Sequence, residues 1–255
     1  RNYGLSQAKG EFICFMDADD EMSPTMISQL VSNMQDDTDL VACGYKVRSN
    51  NGDYAFEQKL DDKSYPNNRL YEFIENLQEA KAFNPLWNKI FRRSIINDNN
   101  IKMDTTVDMG EDYLFVVDYC AHTTLSLKTI DKILYCYHLS PNGLQVTANK
   151  DENYIRRISQ LNRLRKLFEY KNYPLDSLDS EYMRVTYTSL IEDIETNNII
   201  TYIQQTKYLK TILSPSRQKS FKYKVFAFAL STNNSFVIKT LTGVFLAVKR
   251  KKFKW

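Results

Sequence analysis

Three carboxylates stand close together early in the chain, in Asp17-Ala18-Asp19-Asp20. The mainly apolar segment before them, Glu11 to Met16, is predicted to be a short buried strand that ends at Asp17. Carboxylates at positions i and i+2 after a strand can hold a hard divalent cation such as Mg²⁺ or Mn²⁺, which can neutralise a diphosphate. The competing interpretation is a solvated acidic turn before a helix that has Ser23 as its N-cap.

A second acidic segment, Gly110-Glu111-Asp112, precedes the apolar stretch from Tyr113 to Cys120, which is predicted to be a helix. A carboxylate in the first turn of a helix that faces a cleft can act as a general base. Taken alone, the segment is more typical of a helix N-terminus, at which acids are favoured by the helix dipole. These residues by themselves leave both interpretations open.

The predicted secondary structure that positions these acids changes near residue 150, from mixed strands and helices to helices alone. Strands are predicted at Leu40 to Val47 and Thr129 to Tyr137, and helices at Arg69 to Ala80 and Leu86 to Asn97. From Tyr154 onward apolar residues recur every three or four positions, which is typical of amphipathic helices. We therefore predict an α/β domain over residues 1–150 and an all-helical extension over residues 151–255.

Composition excludes several other classes of protein. With 255 residues, 43% of them hydrophobic, the chain can bury a substantial core. The four cysteines lack CxxC spacing and both histidines stand alone, so neither a zinc site nor a disulfide framework is indicated. No apolar segment reaches the roughly 18 to 20 residues of a membrane-spanning helix. These features favour a cytoplasmic setting.

Several segments resemble family 2 glycosyltransferases in order and spacing. The first is the segment Arg1-Asn2-Tyr3-Gly4-Leu5 together with Ala8 to Ile13 and Phe15 to Asp20, and the later landmarks are Trp87 to Arg93, Gly110-Glu111-Asp112 and Leu134 to Tyr137. The resemblance covers residues 1 to about 147. It implies a GT-A fold, a Rossmann-related mixed sheet flanked by helices, and inverting transfer from a nucleotide-diphosphate sugar, by preference a UDP-sugar. The family's processive Gln-x-x-Arg-Trp motif is absent from the chain, which favours single additions.

The same resemblance implies roles for individual residues. Asp19 would be the principal metal ligand, with Asp17 assisting it or holding the ribose, and Arg1 would lie near the donor diphosphate. Asp112 would be the catalytic base, with Glu111 positioning it or the acceptor. A solvated arginine at a helix end remains the alternative for Arg1.

Three further residues are weaker candidates for the site. Trp87 could stack on a sugar of the acceptor or serve as a core anchor. Lys89 could hold a phosphate or the acceptor, and His138 could approach the donor or metal from the loop after the last strand. Here the sequence departs from the family pattern, with His138 followed by Pro141-Asn142-Gly143-Leu144, so the loop that closes over the donor is not defined.

The C-terminal region is strongly basic. Residues 1–150 carry 15 basic and 22 acidic side chains, residues 151–255 carry 19 and 9, and 12 basic residues with no acid follow Glu195. Apolar residues from Val237 to Val248 occupy one helical face before Lys249-Arg250-Lys251-Lys252. We predict that residues 236–255 bind an anionic membrane surface, at the inner face of the cell membrane, where a glycan or lipid-linked acceptor would lie. A packed helix and nucleic-acid binding are the alternatives, and no nucleic-acid partner is expected.

Two other functions were weighed against the glycosyltransferase prediction. A haloacid-dehalogenase-type phosphatase also places Asp-x-Asp after a strand, but its later acidic motif is missing. The other is an inactive fragment or pseudo-enzyme that serves as a membrane-associated assembly module. It arises because family members need upstream strands for the nucleotide pocket; without them, the sheet would lack its first strands and the fragment would show little activity.

Overall fold

The computed structural model describes residues 1–49, 54–107, 109–139, 150–192, 197–218, 220–232 and 234–252. The chain divides into two compact units, Arg1–Val146 and Thr147–Trp255. Two predicted segments, the turn at residues 50–53 and the loop at residues 141–144, lie outside the described residues. A mixed α/β unit is followed by a helical one, as predicted.

The first unit is built on a mixed sheet. Among its described residues there are seven strands: β1 (Phe12–Cys14), β2 (Glu21–Met22), β3 (Thr38–Arg48), β4 (Tyr54–Gln58), β5 (Lys63–Tyr65), β6 (Lys89–Arg92) and β7 (Ser126–His138). The strand order is β1-β6-β3-β7-β2, with β4 paired to β3 and β5 paired to β7. β3 and β7 run parallel, whereas the other pairs are antiparallel.

The long central strands hold the sheet together. β3 has eight buried residues in succession, from Thr38 to Tyr45, as expected of a strand that is covered on both faces. Gly44 allows its neighbours to approach closely, because a Cβ there would lie 2.5 Å from the Gln58 carbonyl oxygen and 3.2 Å from that of Lys132. Its replacement by alanine would push β4 away from β3.

Five α-helices accompany the sheet in the part of the first unit that the structure describes: α1 (Asn2–Gln7), α2 (Met26–Asn33), α3 (Leu70–Glu79), α4 (Arg93–Asp98) and α5 (Glu111–His122). α2 begins after Thr25, so the prediction of Ser23 as its N-cap is wrong. The Ser23 amide instead donates to the Leu134 carbonyl of β7, 2.8 Å away. Ser23 is therefore attached to the sheet through its amide, while its carbonyl accepts a hydrogen bond from the Met26 amide at 2.9 Å.

The prediction of one helix over Leu86 to Asn97 is also wrong. Lys89–Arg92 forms β6, which lies between β1 and β3, and only Arg93–Asp98 is helical. The apolar residues of this segment fit a helical period, but pairing on both edges overrides that local preference. The chain thereby gains an interior strand that joins β1 to the long strands.

The second unit is helical throughout its described residues. Its helices are α6 (Lys150–Tyr170), α7 (Asp176–Glu192), α8 (Asn197–Gln205), α9 (Lys207–Ile212), α10 (Phe221–Ser231) and α11 (Ser235–Lys252). Asp179 is buried and accepts hydrogen bonds from Arg165 at 2.7 Å and Arg217 at 2.6 Å, which ties separate helices together. No helix among the described residues has the length and hydrophobicity required to cross a membrane.

Candidate active site

The acidic turn after β1 is fixed to the end of β7 by the Asp20 side chain. The buried Asp20 carboxylate accepts a hydrogen bond from the Tyr135 hydroxyl at 2.8 Å and another from the His138 amide at 2.9 Å. The Tyr135 oxygen also accepts a bond from the Asp17 amide, 3.2 Å away. The turn is therefore attached to a strand that is itself held in the centre of the sheet.

Asp20 is buried, whereas Asp17 is half-buried and Asp19 is exposed, and this burial changes the Asp20 pKa. Desolvation raises the Asp20 pKa, while the bonds from His138 and Tyr135 oppose that rise, and Asp17 and Asp19 add to it. Asp20 was not singled out from the sequence as a site residue. The alternation of residues around the turn gave no indication that the third acid points inward.

Arg1 joins the acidic turn to the start of α5. Its guanidinium donates to Asp17 Oδ1 at 2.8 Å, to Glu111 Oε1 at 3.3 Å and, in a short contact, to Asp112 Oδ1. Four of the predicted site residues thus meet around one guanidinium, although Arg1 and Asp112 are 111 positions apart. The arrangement forms a cluster of acids with a single cation at its centre.

Two local features place the members of this cluster. The Asn2 side chain exchanges a pair of hydrogen bonds with the Met103 backbone, at 2.9 Å and 2.8 Å, and so fixes the start of α1 beside the segment that leads to α5. Gly110 precedes α5 with φ 93°, a left-handed conformation that favours glycine. The bonds between Asn2 and Met103 fix the position of the neighbouring Arg1, and the conformation of Gly110 fixes the direction of the first turn of α5.

The environment of Asp112 suits a general base. Burial raises the Asp112 pKa to about 6, Arg1 opposes the rise, and the nearby Glu111 and Asp17 carboxylates contribute to it. A base works best when its pKa lies close to the operating pH, because it is then both ionised and able to accept a proton. Asp112 combines this property with a side chain that is 24% exposed.

The carboxylates of the acidic turn fit a divalent cation. Asp19 is exposed and makes no hydrogen bond or ion pair with the part of the chain that the structure describes, while one Asp17 oxygen is bonded to Arg1. Arg1 supplies one positive charge against the four carboxylates of Asp17, Asp19, Glu111 and Asp112. Hard oxygen ligands with excess negative charge are the surroundings that Mg²⁺ or Mn²⁺ requires.

The two candidates for acceptor binding lie in the core. Trp87 is 7% exposed and stacks on Tyr135 with ring centroids 4.3 Å apart, while Tyr45 meets it edge-on at 5.0 Å. Lys89 is 0% exposed. Its ammonium donates to the carbonyl oxygens of Ala82 and Pro85 and to Asn88 Oδ1. Enclosure of both side chains does not fit direct contact with an acceptor, and it favours the alternative of a core anchor for Trp87.

Lys89 should instead contribute to stability in a pH-dependent way. Burial lowers its pKa to about 7, below the usual value of about 10.4 that it has when unfolded. Between these two values the unfolded chain binds the proton and the folded chain does not, so this contribution to stability rises with pH. We expect the free energy of unfolding of the wild type, relative to Lys89→Met, to increase from pH 7 to pH 10 in urea titrations.

The comparison with Lys89→Met isolates this one group, because every other titratable group is shared by the two proteins. At pH 9 the variant should be less stable by about 1 to 3 kcal/mol, since methionine cannot replace the hydrogen bonds that the neutral Lys89 amine donates to buried oxygens. Lys102→Met, at an exposed position, is the matched control and should change little. A constant difference between wild type and Lys89→Met over this pH range would contradict the lowered pKa.

His138 lies beside the acidic turn at the end of β7. Its backbone amide is bonded to Asp20, and its ring Nε2 lies 3.2 Å from Glu21 Oε1. The structure thus brings His138 close to the turn, but its ring points to Glu21, which was not predicted as a site residue. Glu21 directly follows Asp19 and Asp20, so nothing in the sequence distinguishes it from the other acids of this segment.

Comparison with solved structures tests the predicted fold. The structure resembles that of Staphylococcus aureus TarS residues 1–349, solved with UDP-GlcNAc, with a TM-score of 0.67 at 15% identity over 96% of this chain and 70% of that one. This likeness shows the fold: a mixed sheet with flanking helices, followed by a helical region, has a GT-A-like architecture, which confirms the predicted fold class.

Sequence comparisons find similarity to one family of glycosyltransferases. Residues 1–99 match the model of glycosyl transferase family 2. Putative glycosyltransferase EpsH of Bacillus subtilis is 31% identical over 145 residues, 55% of this chain and 41% of EpsH. Poly(ribitol-phosphate) β-N-acetylglucosaminyltransferase TarP of S. aureus is 26% identical over 169 residues, 63% of this chain and 48% of TarP. Residues 1–99 are therefore similar to glycosyl transferase family 2, and the chain spans less than half the length of these two relatives.

Proposed function

We propose that the chain takes part in inverting, metal-dependent transfer of a sugar, of hexosyl type, from a UDP-sugar to a hydroxyl group of a glycan or lipid-linked acceptor in cell-surface polysaccharide synthesis. The observation that carries the proposal is the Arg1 cluster, in which one guanidinium contacts both Asp17 of the acidic turn and Asp112 of α5. The candidate donor site and the candidate base are therefore adjacent.

The relatives support the choice of substrates. TarS was solved with UDP-GlcNAc and with UDP, and TarP is named for transfer of N-acetylglucosamine to poly(ribitol-phosphate). A UDP-sugar donor and a surface-polymer acceptor are consistent with both. We extend these substrates to the present chain because its sequence is similar to the family and it has the acidic turn. The structural likeness by itself extends only to the fold.

The acidic turn would hold the metal through Asp19, with Asp17 as the second ligand. A bound Mg²⁺ or Mn²⁺ would supply positive charge to the donor diphosphate. Arg1 is a second source of positive charge for the same group, because its guanidinium already lies against Asp17. Both roles depend on the fixed position that Asp20 gives to the turn.

Asp112 would remove the proton from the acceptor hydroxyl. As the hydroxyl oxygen bonds to the anomeric carbon, the bond from that carbon to the diphosphate breaks on the opposite face, and the proton passes to the Asp112 carboxylate. Glu111 raises the basicity of Asp112 through its like charge. The negative charge of Asp17 acts in the same direction, so the donor side of the cluster contributes to the base.

Metal-dependent donor binding tests the proposal directly. We expect UDP and UDP-GlcNAc to bind the purified full-length protein in the presence of Mn²⁺, and the binding to be lost when the metal is removed with EDTA. Isothermal titration calorimetry measures both states. The control is ADP-glucose, which shares the diphosphate but not the base. Equal binding with and without metal, or no binding of any UDP compound, would contradict the proposed donor site.

The second unit supports the proposed contact with an anionic membrane surface. Phe221, Phe228 and Phe236 are exposed, the last at 77%, and Lys222 and Lys224 lie between the first two in sequence. Exposed aromatic residues beside cations are typical of surfaces that rest on a bilayer. We propose that these exposed phenylalanine and lysine side chains contact an anionic lipid surface.

The predicted apolar face of the last helix, α11, contains both buried and exposed residues. Ile238 and Thr242 are buried within the unit, whereas Val244 is 54% exposed. The side chains of residues 245–252 and the whole of residues 253–255 lie outside the described part of the chain. Deletion of the helix would therefore uncover the core of this unit, so point substitutions are the better test.

Neutralising Lys249, Arg250, Lys251 and Lys252 together as glutamines should weaken binding to anionic vesicles, because each cation near such a surface adds about 1 kcal/mol. Co-sedimentation with phosphatidylserine-containing vesicles measures the effect, and Phe228→Ser with Phe236→Ser should weaken binding further. Purely zwitterionic vesicles are the lipid control, and Lys102→Gln with Lys59→Gln in the first unit is the protein control. Undiminished sedimentation of the quadruple variant would exclude the basic segment as the anchor.

A further inference from the structure

Three potential metal ligands meet on one face of the sheet beside the acidic turn. Glu21 and Cys136 are directly paired residues of the antiparallel strands β2 and β7, so their side chains lie on the same face. Cys136 and His138 are two positions apart on β7 and therefore share that face. The backbone register alone thus brings a carboxylate, a thiol and an imidazole together.

The side-chain atoms have the separations of ligands around one ion. His138 Nε2 lies 3.2 Å from Glu21 Oε1 and 3.7 Å from Cys136 Sγ, and the three ligand atoms all lie within 4.8 Å of one another. Bond lengths of 2.0 to 2.3 Å at tetrahedral angles place zinc ligands about 3.3 to 3.8 Å apart. Little movement is needed for the three side chains to bind a common metal.

We infer that Glu21, Cys136 and His138 form a zinc site that is separate from the Asp17–Asp19 site. Thiolate and imidazole are ligands that select zinc over magnesium. One thiolate and one carboxylate balance the charge of Zn²⁺, and the imidazole binds as a neutral ligand. The fourth position of the tetrahedron would be filled by water or a solute.

The neighbouring contacts permit such a site. Arg48 Nη1 lies 3.8 Å from the same Glu21 oxygen, in a pair whose Glu21 side chain is 59% exposed. Exposed pairs of this kind contribute little, so a metal can replace Arg48 as the partner of Glu21. The Cys136 thiol is buried and joined to His138 at the end of β7.

A zinc ion here would bind β2 to the last residues of β7. Asp20 already makes that connection through Tyr135 and the His138 amide, and the metal would add a second one through the next residue, Glu21. The site would therefore stabilise the acidic turn without ligating the donor. This inference depends on the sheet register and stands whether or not the chain transfers sugar.

Cobalt binding distinguishes this site from the acidic turn. With Co²⁺ as the probe and a non-thiol reductant present, we expect one equivalent to give a thiolate-to-cobalt charge-transfer absorption, which Zn²⁺ then abolishes by displacement. Asp17 and Asp19 offer only oxygen ligands and cannot give that absorption. Cys14→Ser is the matched control, since Cys14 is a half-buried thiol in the same sheet, and it should retain the band.

Two variants complete the test. Cys136→Ser should lose the band and weaken zinc binding at least about 100-fold, while Glu21→Gln, at an exposed position that cannot impair folding greatly, should keep the band and weaken zinc binding about 10-fold or more. Absence of the band in the wild type, its persistence in Cys136→Ser, or unchanged zinc affinity in Glu21→Gln would overturn the inference.

Discussion

Replacing Asp112 by asparagine is expected to lower the rate of sugar transfer by about 100- to 10,000-fold, the usual contribution of a general base. Asparagine keeps the shape of the side chain and can still accept a hydrogen bond from Arg1, but it cannot take a proton. The affinity for UDP-GlcNAc with Mn²⁺ should stay within about threefold of the wild type, because the acidic turn is unchanged. Transfer assays and calorimetry on the same preparations separate the two effects.

The pH dependence of the wild type gives a second measurement of the same role. Asp112 has a pKa of about 6 and must be ionised to act as a base, so kcat/KM should rise with pH through about 6 and level off above about 7. Asp118→Asn, six residues further along α5, is the matched control and should keep both the rate and the profile. An Asp112→Asn enzyme with full activity would remove Asp112 from the mechanism.

Replacing Asp19 by asparagine is expected to abolish metal-dependent donor binding. A metal that neutralises a diphosphate contributes several kcal/mol, so loss of its principal ligand should weaken UDP-GlcNAc binding at least about 100-fold in the presence of Mn²⁺. In EDTA the variant and the wild type should be indistinguishable. Asp19 is exposed and has no bonded partner in the described part of the chain, so the fold should be unaffected.

Asp36→Asn is the matched control for this substitution. Asp36 is also exposed, lies in a turn between α2 and β3, and loses the same charge on replacement. Its donor affinity should equal that of the wild type at every Mn²⁺ concentration. If Asp19→Asn retains full metal-dependent binding, the cation is held elsewhere, and if both variants weaken binding equally, the effect is one of overall charge.

The sequence predicted the local segments that carry the site residues better than it predicted which side chains are buried and which meet across the fold. The Gly-Glu-Asp helix start occurs as predicted. A short strand does precede the three acids, but it spans only Phe12–Cys14 and ends before the predicted Met16. The meeting of Arg1 with Asp112 depends on the path of more than a hundred intervening residues, so no local pattern contains it; the family resemblance supplied only the order of the landmarks.

Residues that could serve equally in a core or in a cleft were the least predictable. Trp87 and Lys89 lie in a landmark of the family, but an indole ring and a long ammonium chain leave the same sequence signature when they are enclosed. The error at β6 has the same origin, because Lys89–Arg92 becomes a strand only through its neighbours β1 and β3. Asp20 was predicted only as a member of the acidic segment, without a role of its own, and Glu21 was not predicted. The directions of both side chains depend on the pairing of β2 with β7.

The attachment of Asp20 to the end of β7 also has a consequence for the order of folding. Asp20 and His138 are 118 positions apart, and Arg1 and Asp112 are separated by 111. Closing loops of this length costs conformational entropy before any contact is gained. The local helices can form early, whereas the acidic turn receives its geometry only after β3 and β7 have paired. We therefore expect the proposed donor site to be among the last parts of the fold to form when the chain refolds.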